Sequence, residues 1–538
     1  MNNKQFMTGF NAEDVANSRQ AAEQAAERVR TARRDFLKMF GYGAAALSMG
    51  GLTVGKNGMP GFIPSAAATG SDNPYAGSFR FTGNLLYMNI GTTGASPTQV
   101  VQDCNDDYED IASNPTAYFF GQQVMRNTIA PGFGCDPYEL VMSFNTTDGL
   151  WRTVMGIPFD KHDEIITTNM EEDAGISAVN ILRDRFGVKI KTVNLPTNNA
   201  YSDEEVIRRF KAQLTKKTKA ILFSSPIYLT GARLPAKELC LWAASKGVIS
   251  IVDGAHLPGM CTLDLHDMGC DFFSGAGHKW QCGPGQTGFL YIRNGQNPNS
   301  YTRRTWESDF GAFSPPPLPG GEPPAGAVDI EVPGYTNINQ LPTYYPTNTL
   351  IYGGVDILKN GVRNPEHNIA AVLQLIGNGS RPTQKALTQC CTLWDEWGRQ
   401  EIEDYIVSLA QYLRASIVDI WGPQCLSIPY DDPAETAGRT GLTSFNPFSP
   451  GYDYNAPLTS AQSSSQKTAS GAAVTAMKAN HNIVIRNNSV PHALRTDPSQ
   501  NAAAGTFSTP LRISTHLFHS LDDVDRVIDA LLQVVPHP

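Results

Sequence analysis

Between residues 87 and 291 short apolar runs alternate with helical stretches, and this alternation restricts the possible folds more than any other feature of the chain. Runs at 164–168, 189–195, 220–224, 248–252 and 288–292 are rich in Ile, Val, Leu or Phe and are followed by turn residues, as buried strands are. Helical patterns lie between them at 176–186, 202–214 and 235–246. Strands alternating with helices predict an α/β domain on a mostly parallel sheet. The chain has 538 residues, too many for one ordinary core. Its hydrophobic share of 41% and charged share of 17% exclude wholesale disorder, which needs low hydrophobicity and high net charge.

From residue 306 the pattern changes. Pro315-Pro316-Pro317, Pro319-Gly320-Gly321 and Pro323-Pro324 mark a long irregular loop. Helical patterns return from Ile351, the longest at 393–420, and a second polar insertion is predicted at 446–468. A strand at 509–515 and an amphipathic helix at 521–535 close the chain. The predicted organisation is a large α/β domain over 69–345, with the Pro/Gly-rich loop at 306–345, and a smaller C-terminal α+β domain over 346–538.

The first 68 residues read as an address. Ala32-Arg33-Arg34-Asp35-Phe36-Leu37-Lys38 precedes a mild Gly/Ala-rich run at 39–54, too short to span a bilayer. Ala66-Ala67-Ala68 supplies a small-residue cleavage pattern. Together these resemble a twin-arginine signal peptide, against the competing reading of a basic turn before a buried helix. The resemblance implies export to a bacterial periplasm by the twin-arginine translocation machinery, which carries proteins already folded and suits enzymes that load a cofactor first. The formal charge of −9 argues against a nucleic-acid partner, which would need a basic face. Nine cysteines leave at least one unpaired if the others form bridges. None has a C-x-x-C spacing. His516 and His519 come nearest to a metal-binding spacing but have no Cys or carboxylate nearby, so no metal site is expected.

The chemistry concentrates in 249–292. A buried strand ends in Asp253-Gly254-Ala255-His256, and a second, predicted at 271–274, runs into Gly275-Ala276-Gly277-His278-Lys279-Trp280. Ligands of open α/β sheets bind beyond the carboxyl ends of strands, so a carboxylate and a lysine are presented side by side where a ligand would lie. A lysine forms an imine with an aldehyde cofactor, while a carboxylate keeps a pyridine nitrogen protonated. Burial makes the lysine the better nucleophile. Taken singly, Asp253 reads as a strand-end cap and Lys279 as a surface lysine. Asn145-Thr146-Thr147-Asp148-Gly149 precedes a helical stretch at 150–155, so its threonines either cradle a phosphate or cap the helix, or both.

The sequence Asp253-Gly254-Ala255-His256, His278-Lys279-Trp280 and Gly283-Pro284 resembles the class V aminotransferase-fold enzymes dependent on pyridoxal 5'-phosphate (PLP), and most the isopenicillin N epimerase branch. The similarity runs from Tyr87-Met88-Asn89-Ile90-Gly91 to the C-terminal strand. It implies fold type I and assigns catalytic roles to Lys279, which would bond the cofactor aldehyde, and to Asp253 at the pyridinium nitrogen. It further implies that His256 contacts the ring hydroxyl and that His278, Thr146 and Thr147 hold the phosphate. Thr347 would reach the phosphate of a partner subunit in a homodimer, and Arg512 in Leu511-Arg512-Ile513-Ser514 would take the substrate's α-carboxylate.

The chain departs from the family in places. Gly283-Pro284-Gly285-Gln286-Thr287-Gly288 formally matches a dinucleotide-binding fingerprint, but a strand follows where that motif needs a helix. The stretch 483–491 lacks the cysteine by which desulfurase relatives attack sulfur. Ser225-Pro226-Ile227-Tyr228 replaces a His and an Asn of those relatives. Where the family stacks a ring on its cofactor the chain offers Met170-Glu171-Glu172-Asp173, so Glu172 or Asp173 is expected to face the cofactor, the alternative being a solvated acidic turn. The expected activity is that of an exported PLP enzyme acting at the α-carbon of an amino acid or peptide-borne amino acid, by epimerisation, transamination or elimination. The alternatives are a PLP-dependent lyase and a catalytically idle binding protein on the same fold.

Overall fold

The computed structural model describes residues 73–293 and 379–535, except 74, 117–121, 138, 198–199, 430–435, 449–457 and 492–506, with short pieces at 358–359, 362–363 and 373–374. The expected leader over 1–68, the loop over 306–345 and Thr347 lie outside the described residues.

After a short N-terminal strand, β1 (Leu86–Tyr87), the strands β2 (Leu140–Ser143), β3 (Glu164–Thr168), β4 (Lys189–Val193), β5 (Thr218–Ser224), β6 (Ile249–Asp253), β7 (Phe272–Ala276) and β8 (Gly288–Ile292) follow. The last seven form one sheet in the order β2-β8-β7-β6-β5-β3-β4. Only β8 runs antiparallel to its neighbours; the pairs from β7 to β4 are parallel. Every residue of β3, β6, β7 and β8 is buried, because layers cover both faces. That is why these strands read as mostly apolar runs rather than as strictly alternating ones.

Helices flank this sheet, and three of them start on a side-chain cap. Helix α1 (Thr98–Ser113) precedes the sheet, and α2 (Thr146–Gly156) follows β2 with Asn145 as its cap, accepting from the Asp148 N–H at 2.8 Å. Asn145, rather than Thr147, therefore caps this helix. Helix α3 (Asp173–Ile181) begins three residues before the predicted 176, capped by Glu172. Helices α4 (Asp203–Ala212) and α5 (Ala236–Ser245) fall within the predicted ranges.

The C-terminal part holds α6 (Arg381–Trp397), α7 (Arg399–Trp421), β9 (Leu442–Phe445), α8 (Ser460–His481), β10 (Ile483–Val484), β11 (Arg486–Asn487), β12 (Leu511–Ser514) and α9 (Leu521–Val534). The single long helix expected at 393–420 is two, since Gly398 at φ 85° interrupts it. The insertion expected at 446–468 contains the start of α8, whose Thr459–Gln462 capping box fixes its first turn. Strands β9, β12 and β11 form a small antiparallel sheet.

The N-terminal segment joins this part: β1 pairs with β10 in parallel, and the Asn73 amide donates to the carbonyls of Leu517 and His519. One apolar cluster runs from Tyr75 through Trp280 and Trp394 to Leu531, and a second covers the other face of the sheet. All nine cysteines are described, and all are buried and unbridged, so the bridges considered from the count do not form. No helix of the described residues is long and apolar enough to cross a membrane.

Candidate active site

A cavity of about 280 Å³ opens beyond the carboxyl ends of β5, β6 and β7 and brings together the residues that the sequence scatters from 91 to 512. The parallel register sets Ser224, Asp253 and Ser274 level on adjacent strands. Asp253 is buried and accepts the Ala255 N–H at 3.0 Å. Burial pushes its carboxyl up to about 6, against the stabilising pull of that N–H and of Lys279.

Lys279 follows β7 in a turn packed tightly against the loop after β1. Gly94 donates to the His278 carbonyl at 2.7 Å, and a Cβ on Gly94 would sit 2.0 Å from the Lys279 carbonyl oxygen. Lys279 is half-buried and lines the cavity. Withdrawal from water pulls its amine down to about 8, although Asp253 opposes the fall. Its Nζ lies 3.5 Å from Nε2 of His256. His256 is buried and held well below its ordinary pKa, first by desolvation and then by Lys279 and Arg512.

The first turn of α2 forms another wall. Thr146 and Thr147 line the cavity, and the first N–H groups of a helix have no partner within it. The Thr146 hydroxyl is buried without a hydrogen-bond partner. Ser274 pins this turn to β7 by donating to the Thr146 carbonyl at 2.9 Å. His278 also lines the cavity, its Nδ1 3.3 Å from the Thr287 carbonyl. A carbonyl only accepts, so Nδ1 carries the proton, and Nε2 of the neutral ring is an acceptor. Burial lowers the pKa of this ring, so donation to a phosphate requires the phosphate's own charge to protonate it.

Arg512 projects from β12 and is 1% exposed, yet among the described residues no carboxylate pairs with it. Its guanidinium donates to the Tyr228 carbonyl at 2.9 Å and to Asn89 Oδ1 at 3.1 Å, and its Nε has no partner. Burial and the neighbouring Arg486 pull it down to about 9. Arg486 stands opposite Arg512 in the β11–β12 register and also lines the cavity. It lies within 483–491, where the sequence drew attention only to a missing cysteine.

Of the two acidic candidates, Glu172 lines the cavity and Asp173 is exposed outside it. Glu172 caps α3 with one oxygen, accepting from Ala174 and Gly175 at 2.8 and 3.2 Å. Sequence reasoning passed over Glu171, which is buried behind the site. It accepts from the Thr168 and Ser224 hydroxyls, and burial pushes it up to about 7. Its only signal was its position beside Glu172. Tyr228, named in the sequence only as a departure, lines the cavity with Thr92 and Gly91.

This donor set fits PLP. The free N–H groups and orphaned Thr146 hydroxyl at the start of α2 match a phosphate, Asp253 a ring nitrogen, Lys279 an aldehyde, and the unpaired Arg512 a carboxylate.

Residues 86–300 match the family described as aminotransferase class-V. Isopenicillin N epimerase of Streptomyces clavuligerus is 28% identical over 247 residues, 45% of this chain and 60% of that protein. The same enzyme of Amycolatopsis lactamdurans is 38% identical over 110 residues, 20% and 28%. A probable cysteine desulfurase of Mycobacterium leprae is 28% identical over 227 residues, 39% and 52%. The chain thus spans between 28% and 60% of the length of these curated relatives. Among solved structures, a complex of the cystine C-S lyase C-DES with its product cysteine persulfide superposes with a TM-score of 0.58 at 18% identity, covering 84% of this chain and 99% of that one. The cysteine desulfurase CsdA of Escherichia coli gives 0.57 at 16% identity, covering 86% and 98%. The chain has the fold of the PLP-dependent fold type I enzymes, its residues 86–300 are similar to the class-V aminotransferases, and pyridoxal 5'-phosphate is the group this cavity fits.

Proposed function

We propose that the protein is a PLP-dependent enzyme acting at the α-carbon of an amino acid or peptide-borne amino acid, exported to the periplasm by the twin-arginine route and working as a homodimer. The observation that carries this reading is the convergence of a desolvated lysine amine and a buried carboxylate on one cavity. When bound, PLP supplies an aldehyde for an amine and a sink for the electrons of the α-carbon.

The chain's own residues do the rest. Lys279 Nζ would hold the cofactor aldehyde and, when free, would take the α-proton as general base. Asp253 would keep a proton on the ring nitrogen. Arg512 binds the substrate carboxylate, with Arg486 adding positive potential beside it. Glu172 places a carboxylate against the cavity, where it steers proton transfer or takes a cationic substrate group. No cysteine lines the cavity, so sulfur attack by a thiolate lacks its nucleophile.

The test is direct. Purified protein given PLP should turn yellow, and borohydride should bleach the colour while fixing the cofactor to Lys279; a Lys279→Ala variant should hold no borohydride-fixed cofactor. A wild-type protein that stays colourless with added PLP would support the idle binding protein instead. Incubation with L-amino acids and short peptides in D2O then separates the outcomes. Deuterium at the α-carbon with inverted product marks epimerisation, and release of ammonia with a keto acid marks the lyase that the desulfurase relatives and the C-S lyase neighbour favour.

A further inference from the structure

We propose that Trp280 is a positioning residue that decides which nitrogen of His256 carries the proton, leaving His256 able only to donate, through Nε2, to whatever binds beside Lys279. The indole Nε1 lies 3.0 Å from His256 Nδ1, with the rings edge to face at 68°. An indole N–H is a donor and never an acceptor, so Nδ1 is the bare nitrogen. The proton of the neutral ring then sits on Nε2, the nitrogen 3.5 Å from Lys279 Nζ.

Trp280 is itself pinned. It is fully buried; His516 donates from Nε2 to its carbonyl at 2.9 Å and stacks on its ring at 5.6 Å between centroids. The His516 N–H donates to His519 Nδ1 at 2.9 Å, and His519 Nε2 donates to the Tyr87 carbonyl at 3.0 Å. The two histidines whose spacing hinted at a metal are thus links in a chain. It runs from β1 through the residues after β12 to the indole, and from the indole to the ring beside the lysine.

A neutral imidazole with its only N–H turned into the cavity is built for an oxyanion. It will not change charge as pH crosses the range in which an ordinary histidine titrates. If the proposed function holds, that oxyanion is the ring oxygen of PLP. The ligand's identity rests on that reading; the tautomer does not.

Long-range 1H–15N correlation NMR of the cofactor-free protein, labelled at histidine and assigned with His256→Gln, tests the tautomer. His256 should show the Nε2–H pattern unchanged from about pH 5.5 to 8.5. Trp280→Phe, which keeps a ring against His516 and loses the N–H, should show mixed tautomers. In a second arm, fluorescence titration compares PLP with its 3-deoxy analogue. Wild type should prefer PLP about tenfold, the worth of one hydrogen bond to a charged group, and Trp280→Phe should lose most of that preference. An Nδ1–H or doubly protonated His256 in the wild type overturns the inference, and this measurement needs no Trp280 variant to fold. An unchanged tautomer and preference in a folded Trp280→Phe overturns it too. Failure of wild type to bind PLP at all would sink the proposed function, and the NMR arm would still decide the tautomer.

Discussion

Burial drives Asp253 and Lys279 toward neutrality from opposite directions, the acid up to about 6 and the amine down to about 8. Only the free amine attacks an aldehyde. At pH 7 about one Lys279 in ten is then free, against fewer than about one in a thousand for a lysine in water near 10.4. The rate at which Lys279 captures PLP, followed by visible absorbance, should rise about tenfold per pH unit below 8 and level off above it. Asp253 raises the amine's pKa, so Asp253→Asn should move the plateau to lower pH while activity at the α-carbon falls. A wild-type plateau reached only above about pH 9.5 would return Lys279 to the behaviour of a surface lysine. Both residues were legible in the sequence because each ends or follows a recognisable buried strand. Arg486 and Glu171 were not. Their roles arise from a cross-strand register and from a cavity wall, neither of which leaves a local pattern.

The same division holds among the elements. The strands at 164–168 and 288–292 have the expected bounds, since burial on both faces favours apolar residues such as Ile, Leu and Phe at their centres. Helix ends were harder to read. Gly398 splits a continuous apolar periodicity by its backbone alone, and α8 hides in a Ser/Ala-rich stretch with few large apolar residues. Helix α3 shows how an element's end serves the site. Its Gly175 donates to Glu172, and a Cβ there would lie 2.8 Å from Asp253 Oδ2. Alanine is favoured over glycine in helices by about 1 kcal/mol, so Gly175→Ala should leave the melting temperature level or slightly raised. It must nevertheless displace the Asp253 carboxylate, and small misplacements of reacting groups are costly. PLP affinity should therefore fall about tenfold or more, as fluorescence titration would read. A variant that keeps both stability and affinity would show that the exact seat of Asp253 is unimportant.

Across the whole molecule, the C-terminal part completes the site and does not stand apart from it. Strand β12 delivers Arg512 to the cavity, and His516, two residues beyond its end, grips Trp280 next to Lys279. The apolar cluster that holds Tyr75 and Leu531 encloses most of the cysteines, among them Cys282, whose Sγ lies 3.8 Å from His516 Nε2. Burial raises all nine thiols above their ordinary range, and the thiolate is the form that oxidises or exchanges. A chain entering an oxidising compartment unfolded would expose these thiols to bridging, whereas one that crosses already folded keeps them shielded. Under the proposed export, the protein should therefore react negligibly with a thiol reagent at pH 8 while native. It should release nine equivalents once denatured, matching its nine cysteines. Fewer equivalents after denaturation would mean that bridges formed in transit, and export of the folded, loaded enzyme would then have to be given up.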